Sequence, residues 1–140
     1  MITATLVPKE HIESIWPQIE IYAAKCAKYT YGRYTAKDML DQLLTMDQQL
    51  WVAFNNKTKE IIGFWVTEVV EYPQTKVLVL HFVGGKDFHS WLPDGFPKLQ
   101  KFARENGCSK MESYGRPGWE VMWQDYGYKK RFVFYELPVE

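Results

Sequence analysis

The run Val77-Leu78-Val79-Leu80-His81-Phe82-Val83 constrains this chain more than any other feature, because six of its seven residues are apolar. In an extended strand successive side chains point to opposite faces, so a strand that is apolar throughout must be covered on both. That requires a central strand in a sheet with helices on both faces, an α/β or α+β architecture. The two segments before it read as strands of the same sheet. Residues 50–54 are bounded by Asn55-Asn56, which tolerate a tight turn; residues 61–70 are rich in β-branched and aromatic types until Tyr72-Pro73 ends them. Together they predict an antiparallel meander.

The remaining segments supply the cover. Residues 2–7 form a short first strand. Ile12, Ile15, Trp16, Ile19, Ala23 and Cys26 recur at helical spacing to about Lys28, and Pro17 predicts a kink or two helical pieces. Residues 29–34, with three tyrosines and Arg33 around Gly32, form a loop: either a solvated connector or one wall of a cleft. Thr35 and Asp38 have capping-box spacing before Met39, Leu40, Leu43 and Leu44. Beyond a turn at Gly84-Gly85, Asp94 is the expected cap of a helix carrying Phe96, Leu99, Phe102 and Ala103 and closed by Gly107. Residues 110–114 return as a strand parallel to 77–83, completing a strand–helix–strand unit. Gly115-Arg116-Pro117-Gly118 turns into a helix over residues 119–126, and the alternation over 132–137 predicts a final strand. With no internal linker or repeat, residues 1–140 are expected to be one domain.

Composition narrows the function. Seventeen basic and seventeen acidic side chains cancel, which argues against nucleic-acid binding through many phosphate contacts. Cys26 and Cys108 are too few for a disulfide framework, and His11, His81 and His89 lack metal-ligand spacing, so no metal is expected. The first residues lack a signal-peptide pattern, and no apolar run nears the ~20 residues of a membrane span, so the expected location is cytoplasmic with no membrane contact. Aromatic residues make up 16% of the chain, enough to line a pocket or interface as well as a core.

An antiparallel meander, a parallel strand–helix–strand unit, a short helix and a last strand follow one another as in the GNAT acetyltransferase fold, which the chain resembles over nearly its whole length. The local anchor is Trp123-Gln124-Asp125-Tyr126-Gly127-Tyr128, similar to the GNAT ending of an aromatic on the last helix followed by a glycine–aromatic pair. Gly115-Arg116-Pro117-Gly118-Trp119 resembles a Gly-Arg-x-Gly-Trp turn of small GNAT-like proteins of tailed phages.

The resemblance implies acyl transfer from acetyl-CoA to an amine on a small molecule or protein. Its implied cofactor-binding residues are Phe82, Val83, Gly84, Gly85 and Lys86, in the place of the GNAT loop Arg/Gln-x-x-Gly-x-Gly/Ala that holds the coenzyme A pyrophosphate. The glycine spacing differs from that loop, Asp87 would repel a phosphate, and the pair can equally be a plain turn. Trp123 stands where many GNAT enzymes have an acidic tyrosine. Tyr126, three residues on, either substitutes for it or belongs to the core. His81, Glu68 and Glu112 are the candidate bases, His81 for its ordinary pKa near 6.5; a hydrogen-bonded histidine within an apolar strand is the other reading. Arg33, Arg116 and Trp119 are candidate substrate contacts, Arg116 either clamping an anion or holding a salt bridge. The departures from the GNAT pattern also fit a GNAT-shaped protein without catalysis, a phage accessory or virion component that binds a phage or host protein.

Overall fold

A computed structural model describes residues 1–114 and 119–139. The elements in order are β1 (Ile2–Leu6), a 3-10 turn (Lys9–His11), α1 (Ile12–Ala27), α2 (Ala36–Thr45), β2 (Gln48–Asn55), β3 (Ile61–Glu71), β4 (Lys76–Gly85), α3 (Phe88–Glu105), β5 (Lys110–Ser113) and α4 (Glu120–Asp125). One five-stranded sheet runs β1-β2-β3-β4-β5. The first four strands are antiparallel neighbours, and β5 pairs with β4 in parallel, Val77 to Leu80 against Lys110 to Ser113. The two-sided apolar strand is therefore interior, as its sequence requires.

Helices cover both faces. Ile12, Trp16 and Ile19 of α1 and Met39 and Leu43 of α2 bury against Leu50, Val52, Phe64 and Val66. On the other face, Trp91, Leu92 and Leu99 of α3 and Trp123 of α4 close over Trp51, Trp65 and Leu80. This second core is an aromatic stack. Trp51 lies on Trp65 (6.3 Å between ring centroids), Trp65 on Trp91 (4.8 Å), and Phe88, Trp119 and Trp123 continue it at 4.9 to 5.4 Å. Each such ring buries roughly 150–250 Å², so much of the aromatic excess is core rather than pocket lining.

Four expectations change. The helix after β4 starts at Phe88, not near Asp94, and runs through Pro93 and Pro97. Its first turn is fixed by Trp91, fully buried, whose indole N–H donates to Lys86 O at 2.9 Å. The Asp94 carboxylate instead accepts from the Ala4 N–H and from Lys98 Nζ, both at 2.8 Å, which ties α3 to the edge strand β1. Second, Gly84 and Gly85 form no turn: they are the last rungs of β4, paired with Phe64 and Gly63. Third, of the two alternatives at Pro17, two helical pieces are not what forms: α1 runs as one helix from Ile12 to Ala27. The carbonyl that loses its partner to Pro17 is that of Glu13, four residues back, and both residues are exposed.

Fourth, residues 132–137 form no strand, and the chain from Tyr128 to Val139 is without regular structure. Strand propensity describes how a residue fits a sheet and supplies no partner by itself, and here the segment pairs with none. The capping box holds as read: Asp38 N–H donates to Thr35 Oγ1 and Thr35 N–H to Asp38 Oδ2.

Candidate functional site

The sheet opens where two parallel strands part. β5 leaves β4 after Ser113 and Leu80, while β4 continues five residues to Gly85 along β3. This is the carboxyl end of the parallel pair, where open α/β sheets place their ligands. The ladder says which backbone groups are available. Lys86 N–H donates to Ile62 O at 2.8 Å, so by strand alternation Phe82 and Gly84 also turn their polar groups to β3. Val83 and Gly85 turn theirs to the side that β5 has left. The Val83 carbonyl accepts from the Cys26 thiol at 3.1 Å.

His81 sits at the mouth of this opening, one residue beyond Leu80, and lies in a bulge. Val66 pairs with Phe82 and Thr67 with Leu80, so His81 is an extra residue opposite β3. Glu68 pairs with Val79, two residues before His81, so ordinary alternation already puts His81 on the face of Glu68, and the bulge lets Phe82 follow on that same face. His81 Nε2 lies 2.8 Å from Glu68 Oε1, both side chains being about one-quarter exposed (27% and 24%). A carboxylate only accepts, so Nε2 carries the proton and Nδ1 is left as the acceptor of the neutral ring. Glu68 also accepts from Gln48 Nε2 at 3.3 Å, and Gln48 reaches Gln42 Oε1 at 3.4 Å. Glu112 stands opposite Val79 on β5, as Glu68 does on β3. Paired residues share a face, so the three candidate bases lie on one side of the sheet. Gln48 and Gln42 gave no signal in the sequence, where Gln48 preceded the expected strand; it is in fact the first residue of β2 and buried.

The residues read as a cofactor loop have structural duties. Phe82 meets Tyr34 edge to face at 5.2 Å. A Cβ at Gly84 would come within 2.7 Å of Cys26 Sγ and of the Phe64 ring, and at Gly85, with φ +132°, it would overlap Ile62 O and Gly63 Cα. Close packing of α1 and β3 accounts for both glycines. Lys86 Nζ pairs with Glu60 at 3.1 Å. Asp87, in the left-handed region at φ 54°, precedes α3 without capping it through its side chain. The first-turn N–H groups of a helix lack i−4 partners; in α3 the Ser90 N–H is taken by Asp87 O at 2.8 Å, so the donors offered directly after β4 are those of Phe88 and His89, beside the negative charge of Asp87.

The other candidates lie apart. Tyr126 packs on Phe96 of α3 at 4.8 Å, in the core opposite His81, and burial, then the Asp125 charge, raises its phenol above the ordinary value. Trp119 is held between Phe88 and Trp123. Arg33 bonds Glu136 at 2.9 Å and lies over the Phe134 ring at 5.2 Å. Arg116 and its glycine-bracketed turn lie outside the described residues. A shallow depression of about 500 Å³ spans β1, β2 and the start of β3, lined by Leu6, Val7, Ile15, Val52, Phe54 and Ile61, and its lining includes neither His81 nor Glu68. Among the described residues no cluster of His, Cys, Asp and Glu could hold a metal ion, and no helix is long and apolar enough to cross a membrane.

No protein-family profile matches the chain, and no curated protein matches it in sequence. Solved structures do match. One is a Pyrococcus furiosus protein provisionally named an acetyl transferase, with TM-score 0.72 and 18% identity over 99% of this chain and 100% of that one. Another is an aminoglycoside acetyltransferase from an uncultured soil metagenomic sample, with TM-score 0.71 and 10% identity over 100% and 99% of the two chains. An acetyltransferase of Trypanosoma brucei follows, with TM-score 0.67 and 11% identity over 99% and 100%. At these identities the likeness establishes the architecture: the chain has the GNAT fold.

Proposed function

We propose that this protein transfers an acetyl group from acetyl-CoA to an amine, with His81 as general base. The observation that carries this reading is the His81–Glu68 pair at the parting of β4 and β5. The acetyltransferase names of the matched structures support the reaction class.

The parting suits the amide-bearing arm of coenzyme A, since the N–H groups of Val83 and Gly85 are directed to it. The phosphate end has a weaker fit: α3 offers its first-turn donors, but with Asp87 among them and Lys86 paired to Glu60. Coenzyme A supplies the acetyl group as a thioester, whose thiolate has an ordinary pKa of about 8.5 and departs readily. A strong acid at the Trp123 position is therefore unnecessary. The chain's own part is to accept the ammonium proton of the acceptor at His81 Nδ1, while Glu68 holds the ring and offsets the charge it gains. The Val83 N–H is placed to polarise the carbonyl, a preorganised donor of the oxyanion-hole kind. The nitrogen sheds a second proton after attack, so of the two protons one goes to the departing thiolate and the other, relayed by His81, to solvent; ammonium and thioester give amide, thiol and one released proton.

The expected outcome is that His81→Gln lowers kcat about 10²- to 10⁴-fold while acetyl-CoA binding, followed by calorimetry, stays intact. Glu68→Gln should lose less and shift the pH profile. Turnover unchanged in His81→Gln would remove the base from this site. A second reading has its own observation: both glycines and the Lys86 N–H serve the sheet, and Trp123 is buried core. On that reading the fold is a catalytically silent module for a phage or host partner. Absence of both acetyl-CoA binding and turnover over a panel of amines would select it.

A further inference from the structure

Two polar residues are buried among the described residues, Thr67 and Gln48. Thr67 is accounted for beneath α3: its hydroxyl accepts from the Trp51 indole N–H at 3.0 Å and donates to Gln49 Oε1 at 2.8 Å. Gln48 lies on the opposite face of the sheet, in line with Leu50 and Val52 of the same strand, where the core is apolar. A leucine would continue that core, and burying an amide costs free energy unless it is hydrogen-bonded. Something other than packing therefore accounts for a glutamine here.

Its bonds lead to Glu68. The two residues stand directly opposite one another in the β2–β3 ladder. Gln48 Nε2 donates to Glu68 Oε1 at 3.3 Å and to Gln42 Oε1, in the last turn of α2, at 3.4 Å. A carboxylate only accepts, so the Gln48 atom that faces it is the amide nitrogen, and the orientation of that amide is settled. From the other side, His81 Nε2 meets the same Glu68 Oε1 at 2.8 Å. The carboxylate on β3 is thus bracketed by a donor from β2 and a donor from β4. The terminal torsion of a glutamate is soft; donors on two different strands fix it where one would let it swivel.

We infer that Gln48 is a positioning residue, which holds Glu68 from β2 and so keeps the His81 ring in its Nε2–H form. Its consequence for rate rests on the reading of His81 as general base. That base needs Nδ1 free of hydrogen, and the tautomer of a histidine is set by the hydrogen bond its other nitrogen makes. Gln48 acts on the reaction through Glu68 and His81, without touching substrate.

The test uses the full chain with nitrogen-15 label in its histidine rings. At a pH where the ring is neutral, the wild-type His81 shifts should report the Nε2–H form. In Gln48→Met, similar in length but without a donor, they should report a mixture of both forms. There kcat should fall about ten- to hundredfold, the scale of one hydrogen bond to a charged group, with KM for acetyl-CoA unchanged. Added to Glu68→Gln, the same change should cost nothing further, because it acts through that carboxylate. A His81 ring still wholly Nε2–H in Gln48→Met overturns the inference. Rate losses that multiply in the double variant overturn it too, since they mark a role in the fold, and a mixed ring with full kcat overturns its part in the reaction. Turnover kept by His81→Gln would remove the base and not the clamp, because the tautomer is read without substrate. Should Gln48→Met misfold, the wild type decides. The side-chain amide signals of Gln48 should move with the same midpoint as the His81 ring, both being donors to one oxygen; an amide indifferent to the ring overturns the inference.

Discussion

Tyr128 carries a phenol whose ionisation burial pushes up to about 12, and its hydroxyl has no hydrogen-bond partner among the described residues. The folded state therefore holds this proton more tightly than the unfolded chain, whose tyrosines titrate near 10. The contribution to stability is full below about pH 10 and is lost as pH rises from there through about 12. At most it amounts to about 2.7 kcal/mol, two units at about 1.36 kcal/mol each. Tyr128→Phe should leave neutral stability unchanged or raise it by about 1 kcal/mol, since it removes an unsatisfied buried group. In urea melts across pH 9 to 12, the wild type should lose stability relative to the variant; parallel curves would mean the phenol is solvated. At this same scale His81 was legible in the sequence as a polar break in an apolar strand. Its partnership with Glu68 was not, because it depends on the register that sets Glu68 opposite Val79, and neither strand's composition fixes that register.

The elements were largely legible because their signals are local: a capping box before α2, a two-sided apolar run for β4, a glycine after α3. Two readings failed where long-range packing set the outcome. Asp94 has the chemistry of a cap, yet Trp91 docks upstream of it and the six residues 88–93 before Asp94 are helical as well. Gly84-Gly85 has the look of a turn, yet both positions are glycine because α1 and β3 press on them. Gly95 has the same cause on the opposite face: an added Cβ would overlap the Trp65 ring and stand 3.2 Å from Ala4 Cβ. Gly95→Ala should therefore destabilise by about 1–3 kcal/mol, although alanine is the better helix former. Thr35→Ala, which removes half of the capping box, should cost about 1 kcal/mol. Denaturant unfolding checks both, and a Gly95→Ala protein as stable as the wild type would show that α3 can shift off Trp65.

For the whole molecule, the meander, the parallel pair and the two-sided cover follow from the sequence, and Gly115-Arg116-Pro117-Gly118 marks where β5 must stop, but nothing in β4 marks that it runs on past its partner. That parting is what makes the site, and strand alternation gives it a signature in the intact protein. If an acyl-CoA arm lies along β4, saturating acetyl-CoA should stabilise the whole fold, by about 2.7 kcal/mol at a hundredfold excess over Kd. The protection should also alternate along the strand. Amide exchange at Val83 and Gly85 should slow on binding, because their N–H groups face the opening. Phe82 and Gly84, bonded to β3 with or without ligand, should change only with global stability. Uniform slowing along β4, or slowing centred on the depression by β1 and α1, would place the ligand elsewhere even if the melting temperature rose.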